Sequence, residues 1–265
     1  MLDSALQFVP VFVLVVFRLA GMALYAPLFG SARIPRRVRV MLLLVLAAGI
    51  APGVRPPATL PESTWGLAVG IGGEMAFGLA MGMVLSFVFV AVQWAGEIIG
   101  QQMGLNLGEV FDPQFGGQST VMGDLYFMFT LVVFLIIGGH REMIRGVRAS
   151  FDALPLLSVG VTHDVLTLLL DLLHAATILA FKIAAPVLVT MLIVDLVLGL
   201  IGRTIPQMNV MSAALSIRAG IGILVVFLGL YLTADVIRAA VERSMEQVRI
   251  GWITPATAPV APGAR

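Results

Sequence analysis

The chain contains no cysteine, which excludes disulfides and thiolate chemistry. Lysine is almost absent as well: of sixteen basic residues only Lys182 is one. Charged residues make up 12% of the sequence, against about a quarter in a soluble domain. No GxxxxGK[ST] motif occurs, so the chain carries no nucleotide-hydrolysing P-loop of its own. A net charge of +1 argues against a nucleic-acid partner or an acidic substrate. The first residues, Met-Leu-Asp, lack a basic n-region, which predicts a retained first span rather than a cleaved signal peptide. What remains is apolar: 59% of 265 residues are hydrophobic and mean hydropathy is +1.02. A soluble fold this apolar could not cover its own surface, so the expected class is an all-α integral membrane protein of packed helical hairpins.

Apolar segments run over 8–29, interrupted by Arg18, then 40–51, 65–94, 121–138, 165–201 and 213–234. A span needs about 20 residues, so 40–51 is short and 165–201 is nearly double. The double length, with Pro186 inside, predicts either two helices folded near the proline or one kinked helix. Two arginine clusters, Arg33/Arg36/Arg37/Arg39 and Arg141/Arg145/Arg148, are each a cytoplasmic signal. Three apolar segments lie between them, an odd number. Either one cluster breaks the rule, or the stretch Gly96–Gly108 makes a further partial, re-entrant crossing. Such backbone is tolerated only inside protein or against a wet cavity.

Glycines recur every fourth residue at Gly66, Gly70, Gly78 and Gly82, with Glu74 in the vacant place. Small residues so spaced let helix backbones approach closely. A second row, Gly96, Gly100, Gly104 and Gly108, opens the most unusual stretch, 93–120. That stretch holds six glycines, six side-chain amides and three acids (Glu97, Glu109, Asp112), without Lys or Arg. Its second half, Phe111-Asp112-Pro113-Gln114-Phe115-Gly116-Gly117, cannot continue a helix. Amides and acids facing lipid are costly, so a loop in a water-accessible lumen is expected. There Phe111 and Phe115 would fill the closed lumen, and the soft side chain of Met103 would help to re-form a seal.

Charges inside apolar segments (Arg18, Glu74, Asp124, Lys182, Asp195, Arg218, Asp235) cost about 2.5–3.5 kcal/mol each at mid-bilayer on insertion scales. They read as a proton or ion relay, or as inter-helix and inter-subunit pairs. No relay-like spacing of acids occurs, so pairing is expected, with Lys182 and Glu74 as inter-subunit charges. The histidines, His140, His163 and His174, stand at no ligand spacing, and Ser119 sits in no nucleophile elbow. No catalytic residue, metal or cofactor is expected.

Four blocks of the sequence resemble the FliR family of the flagellar type III export apparatus: Ala26-Pro27-Leu28-Phe29-Gly30 through Ile34-Pro35; Gly96-Glu97 to Gln101, Met103 and Gly104; Phe111-Asp112-Pro113-Gln114 with Gly116-Gly117-Gln118-Ser119; and Pro206-Gln207-Met208-Asn209. The FDPQ…GGQS block is the specific one. The resemblance implies a non-catalytic subunit of an export gate in the bacterial inner membrane, at the flagellar basal body. It implies FliP-like, FliQ-like and FlhB-like partners, unfolded export substrates in transit, and energy supplied from elsewhere. It further implies a FliP-like helical part (1–180) whose loop, about 106–122, plugs the channel through Phe111–Gly117, supported by Gly96, Gly100, Met103, Gly104 and Gly108. A FliQ-like hairpin (181–245) would turn at Pro206, Gln207 and Asn209, and a disordered tail (246–265) would follow. The family's assembly is raised partly above the bilayer plane, which would account for the odd span count. The alternatives are the equivalent subunit of a virulence secretion system, a small-solute secondary transporter, for which no internal repeat is visible, and a scaffold without a gate.

Overall fold

In hydrocarbon every backbone N–H and C=O must find a partner within the chain, and a helix provides this locally. The computed structural model of the protein describes residues 2–27, 35–57, 61, 63–106, 120–157, 164–204 and 210–250, and among these every regular element is helical. The elements are α1 (Leu2–Tyr25), α2 (Arg36–Ile50) with a 3-10 turn at Ala51–Gly53, α3 (Thr64–Gln102), α4 (Val121–Ile136), α5 (Gly139–Ala153), α6 (Asp164–Thr204) and α7 (Val210–Ile250). Four of them, α1, α3, α6 and α7, are long and apolar enough to cross a membrane, or five spans if α4 and α5 count as one broken span. The chain is an all-α membrane protein.

Four expectations are sharpened. Of the two arrangements expected for residues 165–201, a folded pair or one long helix, the structure has the long helix: α6 runs 41 residues through Pro186. The proline's own carbonyl still accepts a bond, from the Thr190 hydroxyl at 2.8 Å. Gly96 and Gly100 belong to no separate re-entrant element, because α3 continues unbroken to Gln102. The first five residues of the tail expected from 246 are helical, since α7 runs to Ile250. The expected 180/181 boundary falls inside α6.

The chain divides into two compact units. The first comprises 1–86, 138–166 and 242–265, and its central feature is the crossing of α1 on α3. A Cβ built on Gly78 would collide with the Arg18 carbonyl oxygen, and one on Gly82 with the Met22 carbonyl oxygen. From the other side, a Cβ on Gly21 would collide with the carbonyl oxygen of Met75 and lie 2.9 Å from the Leu79 nitrogen. The backbones therefore touch, as the spacing on α3 predicts. The remaining glycines of that row serve different neighbours: Gly66 packs on Pro61, and Gly70 receives the Leu157 side chain.

This close crossing brings together Arg18 and Glu74, each about one turn before the touching glycines. Arg18 Nε donates to Glu74 Oε2 at 2.6 Å, and both side chains are fully buried. Arg18 Nη1 donates to Ser150 Oγ and to the Leu154 carbonyl, both at 3.2 Å. Nη2 donates to the same Leu154 carbonyl at 3.2 Å. The Phe77 and Phe151 rings lie 4.8 and 4.3 Å from the guanidinium carbon, a cation–π arrangement. Glu74 Oε1 accepts the backbone N–H of Leu157 at 2.8 Å. Leu157 has φ +66°, the one non-glycine residue with positive φ among those described. The ion pair thus holds the exit of α5 against α1 and α3. Glu74, expected as an inter-subunit charge, is corrected on this geometry: its carboxylate is buried and both oxygens are engaged within its own chain.

The second unit comprises 87–137 and 167–241. Its core is built on Phe89, which meets Phe127 and Phe134 edge-on at 5.6 Å, a favourable aromatic geometry. Phe134, Ile99 and Met103 are fully enclosed.

Replacing Arg18 with Ala leaves a buried carboxylate without its partner, for an expected loss of about 3–5 kcal/mol. Arg18→Lys should recover only part of it, because one ammonium cannot reproduce the planar fork that serves Glu74, Ser150 and Leu154 together. Thermal unfolding of the detergent-solubilised protein in its native complex measures this. A Lys variant as stable as the original would refute the role of the fork.

Candidate functional site

The site lies in the second unit, where α3 ends and α4 begins. The last polar turns of α3 carry Gln93 and Glu97, half-buried and bonded to each other at 3.4 Å. Gln101 and Gln102 are exposed. The glycines of this row, expected as one packing stripe, do three different things. Gly96 lies against the start of α4: a Cβ there would stand 2.6 Å from the Met122 carbonyl oxygen and 2.8 Å from Gly123 Cα. Gly123 returns the approach, with the side chains of Glu97 and Gln93 at 3.2 and 3.5 Å from its own virtual Cβ. Gly100 leaves room for the side chain of Asn106, whose Oδ1 would be 3.0 Å from an added Cβ, and for Met122.

Gly104 ends the helix. Its φ is +75°. Its N–H donates to the Gln101 carbonyl and the Leu105 N–H donates to the Gly100 carbonyl, both at 3.0 Å. This paired pattern is the Schellman stop, which needs a residue that adopts positive φ without a Cβ penalty. On the far side Thr120 caps α4, its Oγ1 accepting the Gly123 N–H at 3.0 Å, with Asp124 in the first turn of the helix. An acceptor at the N-cap and an acid in the first turn both suit the unpaired N–H groups there. The chain leaving α3 and the chain entering α4 therefore meet at the same place, around Gly100.

Met103, expected as a deformable seal, is instead completely enclosed. Its Cγ, Sδ and Cε occupy the space that a side chain at Gly222 of α7 would need. It is a knob in a notch that locks the end of α3 to α7. Gly108, Phe111, Asp112, Pro113, Gln114, Phe115, Gly116 and Gly117 lie outside the described residues, as do Pro206, Gln207 and Asn209. Lys182 is exposed on α6 and makes no ion pair among the described residues. Asp195 and Arg218 link α6 to α7 at 2.6 Å while both remain over one-third exposed. No group of three or more His, Cys, Asp or Glu side chains fit to hold a metal occurs among the described residues.

Comparison with known proteins adds a family to this geometry. The model of the bacterial export proteins, family 1, matches residues 9–244. The chain belongs to that family, the FliR family of type III export. It is 26% identical to the flagellar biosynthetic protein FliR of Bacillus subtilis over 94% of this chain and 96% of that one. Against FliR of Aquifex aeolicus the identity is 29%, covering 85% and 87%. The surface presentation of antigens protein SpaR of Shigella flexneri is 28% identical, covering 81% and 82%. The family match includes both ends of the 107–119 segment and stops at residue 244, short of the C-terminal tail.

Sequence reasoning missed Gly21, Gly123, Gly222, Ser150 and Leu157. Gly123 carries a faint signal, three residues after a capping threonine. Gly222 carries none, because its role depends on a methionine more than a hundred positions earlier.

The Met103–Gly222 lock makes a coupled prediction. Gly222→Ala should destabilise the protein by about 1–3 kcal/mol through overpacking, and Met103→Ala in that background should restore part of the loss. A double-mutant cycle on thermal unfolding is expected to show coupling of about 1 kcal/mol or more. Simple additivity would mean that the two side chains do not compete for one space.

Proposed function

We propose that this family-1 export protein is a subunit of the flagellar type III export gate in the bacterial inner membrane. It would combine with FliP-like, FliQ-like and FlhB-like subunits to form the channel through which unfolded export substrates pass. Its role is conformational, with no reaction catalysed by the chain. Within this reading, 111–117 is the movable plug of the channel, and its two ends are the fixed mounts. The observation that supports the reading is the convergence at Gly100: a helix stop at Gly104 and a capped start at Thr120 give the segment two ordered ends at one place. A loop on fixed stems can block and clear a lumen without unpacking the helices that hold it.

Deletion of Phe111–Gly117 tests this. The complex should still assemble, and membranes carrying it should become permeable to ions or small solutes. A deletion complex that assembles and stays tight would end the plug reading; loss of assembly would favour the scaffold.

Lys182 carries the partner side of the proposal. An exposed ammonium on an apolar helix, with no ion pair among the described residues, suits an acid on a neighbouring subunit. Lys182→Glu should weaken co-purification of the partner subunits, and an acid-to-lysine change on the partner should rescue it. Undiminished co-purification of the single variant would count against the pair.

The similarity to SpaR supports a second reading, the corresponding subunit of a virulence secretion system, which differs in cargo and not in the mechanics of the gate. The flagellar reading is preferred because relatives named FliR align over up to 94% of the chain.

A further inference from the structure

Between Asp3 and Glu62 the sequence has no acid and six arginines: Arg18, Arg33, Arg36, Arg37, Arg39 and Arg55. Arg18 is neutralised by Glu74. Arg36 and Arg37 are exposed and form no ion pair among the described residues. Both stand in the first turn of α2, which contains no acidic residue. Everything beyond Arg39 in that helix is apolar or small.

The rest of α2 shows an unusual surface. Only Leu43, Ala47 and Ile50 are buried. Val38, Val40, Met41, Leu42, Leu44 and Val45 are 42% to 69% exposed. At 100° per residue these six cover an arc of about 200°. A helix packed on one neighbour presents a stripe nearer 100° wide. So broad an arc suits a fluid that surrounds the helix better than a single partner helix. Arg37 falls inside the arc; Arg36 lies about 40° outside it, on the azimuth of the buried stripe, but is exposed because it stands at the first position of the helix. Length agrees as well: α2 with its 3-10 turn covers 36–53, about 28 Å, close to a hydrocarbon core of about 30 Å. Charge at one end and apolar surface along the remainder is the order that bilayer depth imposes.

The geometry points to α2 as a binding surface for anionic phospholipid: Arg36 and Arg37 take the phosphate headgroup, and Val40, Met41, Leu44 and Val45 lie along the acyl chains. Guanidinium groups match phosphate oxygens bidentately, and unpaired arginines at a membrane surface gain from anionic lipid. The inference needs only a membrane-embedded chain and stands apart from the gating role.

Two measurements on the full chain in its native complex test it. A photo-crosslinking amino acid at Met41 or Val45, activated in membranes, should give lipid adducts; crosslinks to a protein subunit would overturn the proposal. In native mass spectrometry of the complex from mild detergent, phosphatidylglycerol should be retained over phosphatidylcholine. The double variant Arg36→Gln/Arg37→Gln should lower that preference by roughly tenfold, and Arg36→Lys/Arg37→Lys should keep most of it. An unchanged preference in the Gln variant would overturn the headgroup assignment. Should that variant fail to assemble, the crosslinks on the arginine-intact chain decide the question.

Discussion

The first unit depends on a contact made by the absence of side chains. Gly21, Gly78 and Gly82 let the backbones of α1 and α3 meet, and that approach sets where the residues one turn away must lie. Arg18 and Glu74 fall opposite each other and pair in full burial. A buried ion pair is tolerable only when its remaining donors and acceptors are also met. Here they are: the guanidinium reaches Ser150 and Leu154, and the second carboxylate oxygen takes the Leu157 N–H. A polar network completed in this way fixes one arrangement of its members, since any displacement strands a charge. The positive φ of Leu157 is a local strain that such a network sustains, and its side chain in turn fills the recess at Gly70. Backbone contact, ion pair and loop conformation follow from one another in that order.

The parts of this that sequence could reveal are those written at fixed spacing. The four-residue glycine row on α3 and the isolated charges at 18 and 74 both stand out in an apolar chain, and both acquire the roles that membrane physics demands of them, packing and pairing. Direction was not legible. Nothing at Glu74 distinguishes a carboxylate destined for its own chain from one destined for a neighbour, because the deciding fact is the position of Gly21 on another helix. The same limit explains Pro186. A proline inside a long apolar run is a helix breaker in water, but a membrane helix tolerates it, and α6 continues through Pro186 without interruption.

At the candidate site, the elements encoded locally and those encoded through tertiary contact separate cleanly. The stop at Gly104 and the cap at Thr120 use only neighbouring residues, so they would form wherever this segment is placed. Met103 against Gly222 and Gly96 against Gly123 require the helices to be assembled first. The row Gly96–Gly100–Gly104 looks uniform as a sequence because one residue type satisfies two unrelated demands, close approach and positive φ. Spacing cannot tell these apart; the hydrogen bonds at Gln101 and Gly100 do.

The charges of the apolar segments form a graded series, and the grading bears on assembly. Arg18 and Glu74 are closed off completely, each oxygen and nitrogen engaged within the chain. Asp195 and Arg218 pair across α6 and α7 yet stay over one-third exposed, which leaves part of each available to a neighbour or to water. Lys182, exposed and unpaired among the described residues, is not closed at all. Since a charge in hydrocarbon is costly until it is paired or hydrated, the open end of this series lies on α6, and the closed end on α1 and α3. Under the proposed gate role, the inner pair would hold the first unit's own fold while the charge left open on α6 would be the one offered to a partner subunit.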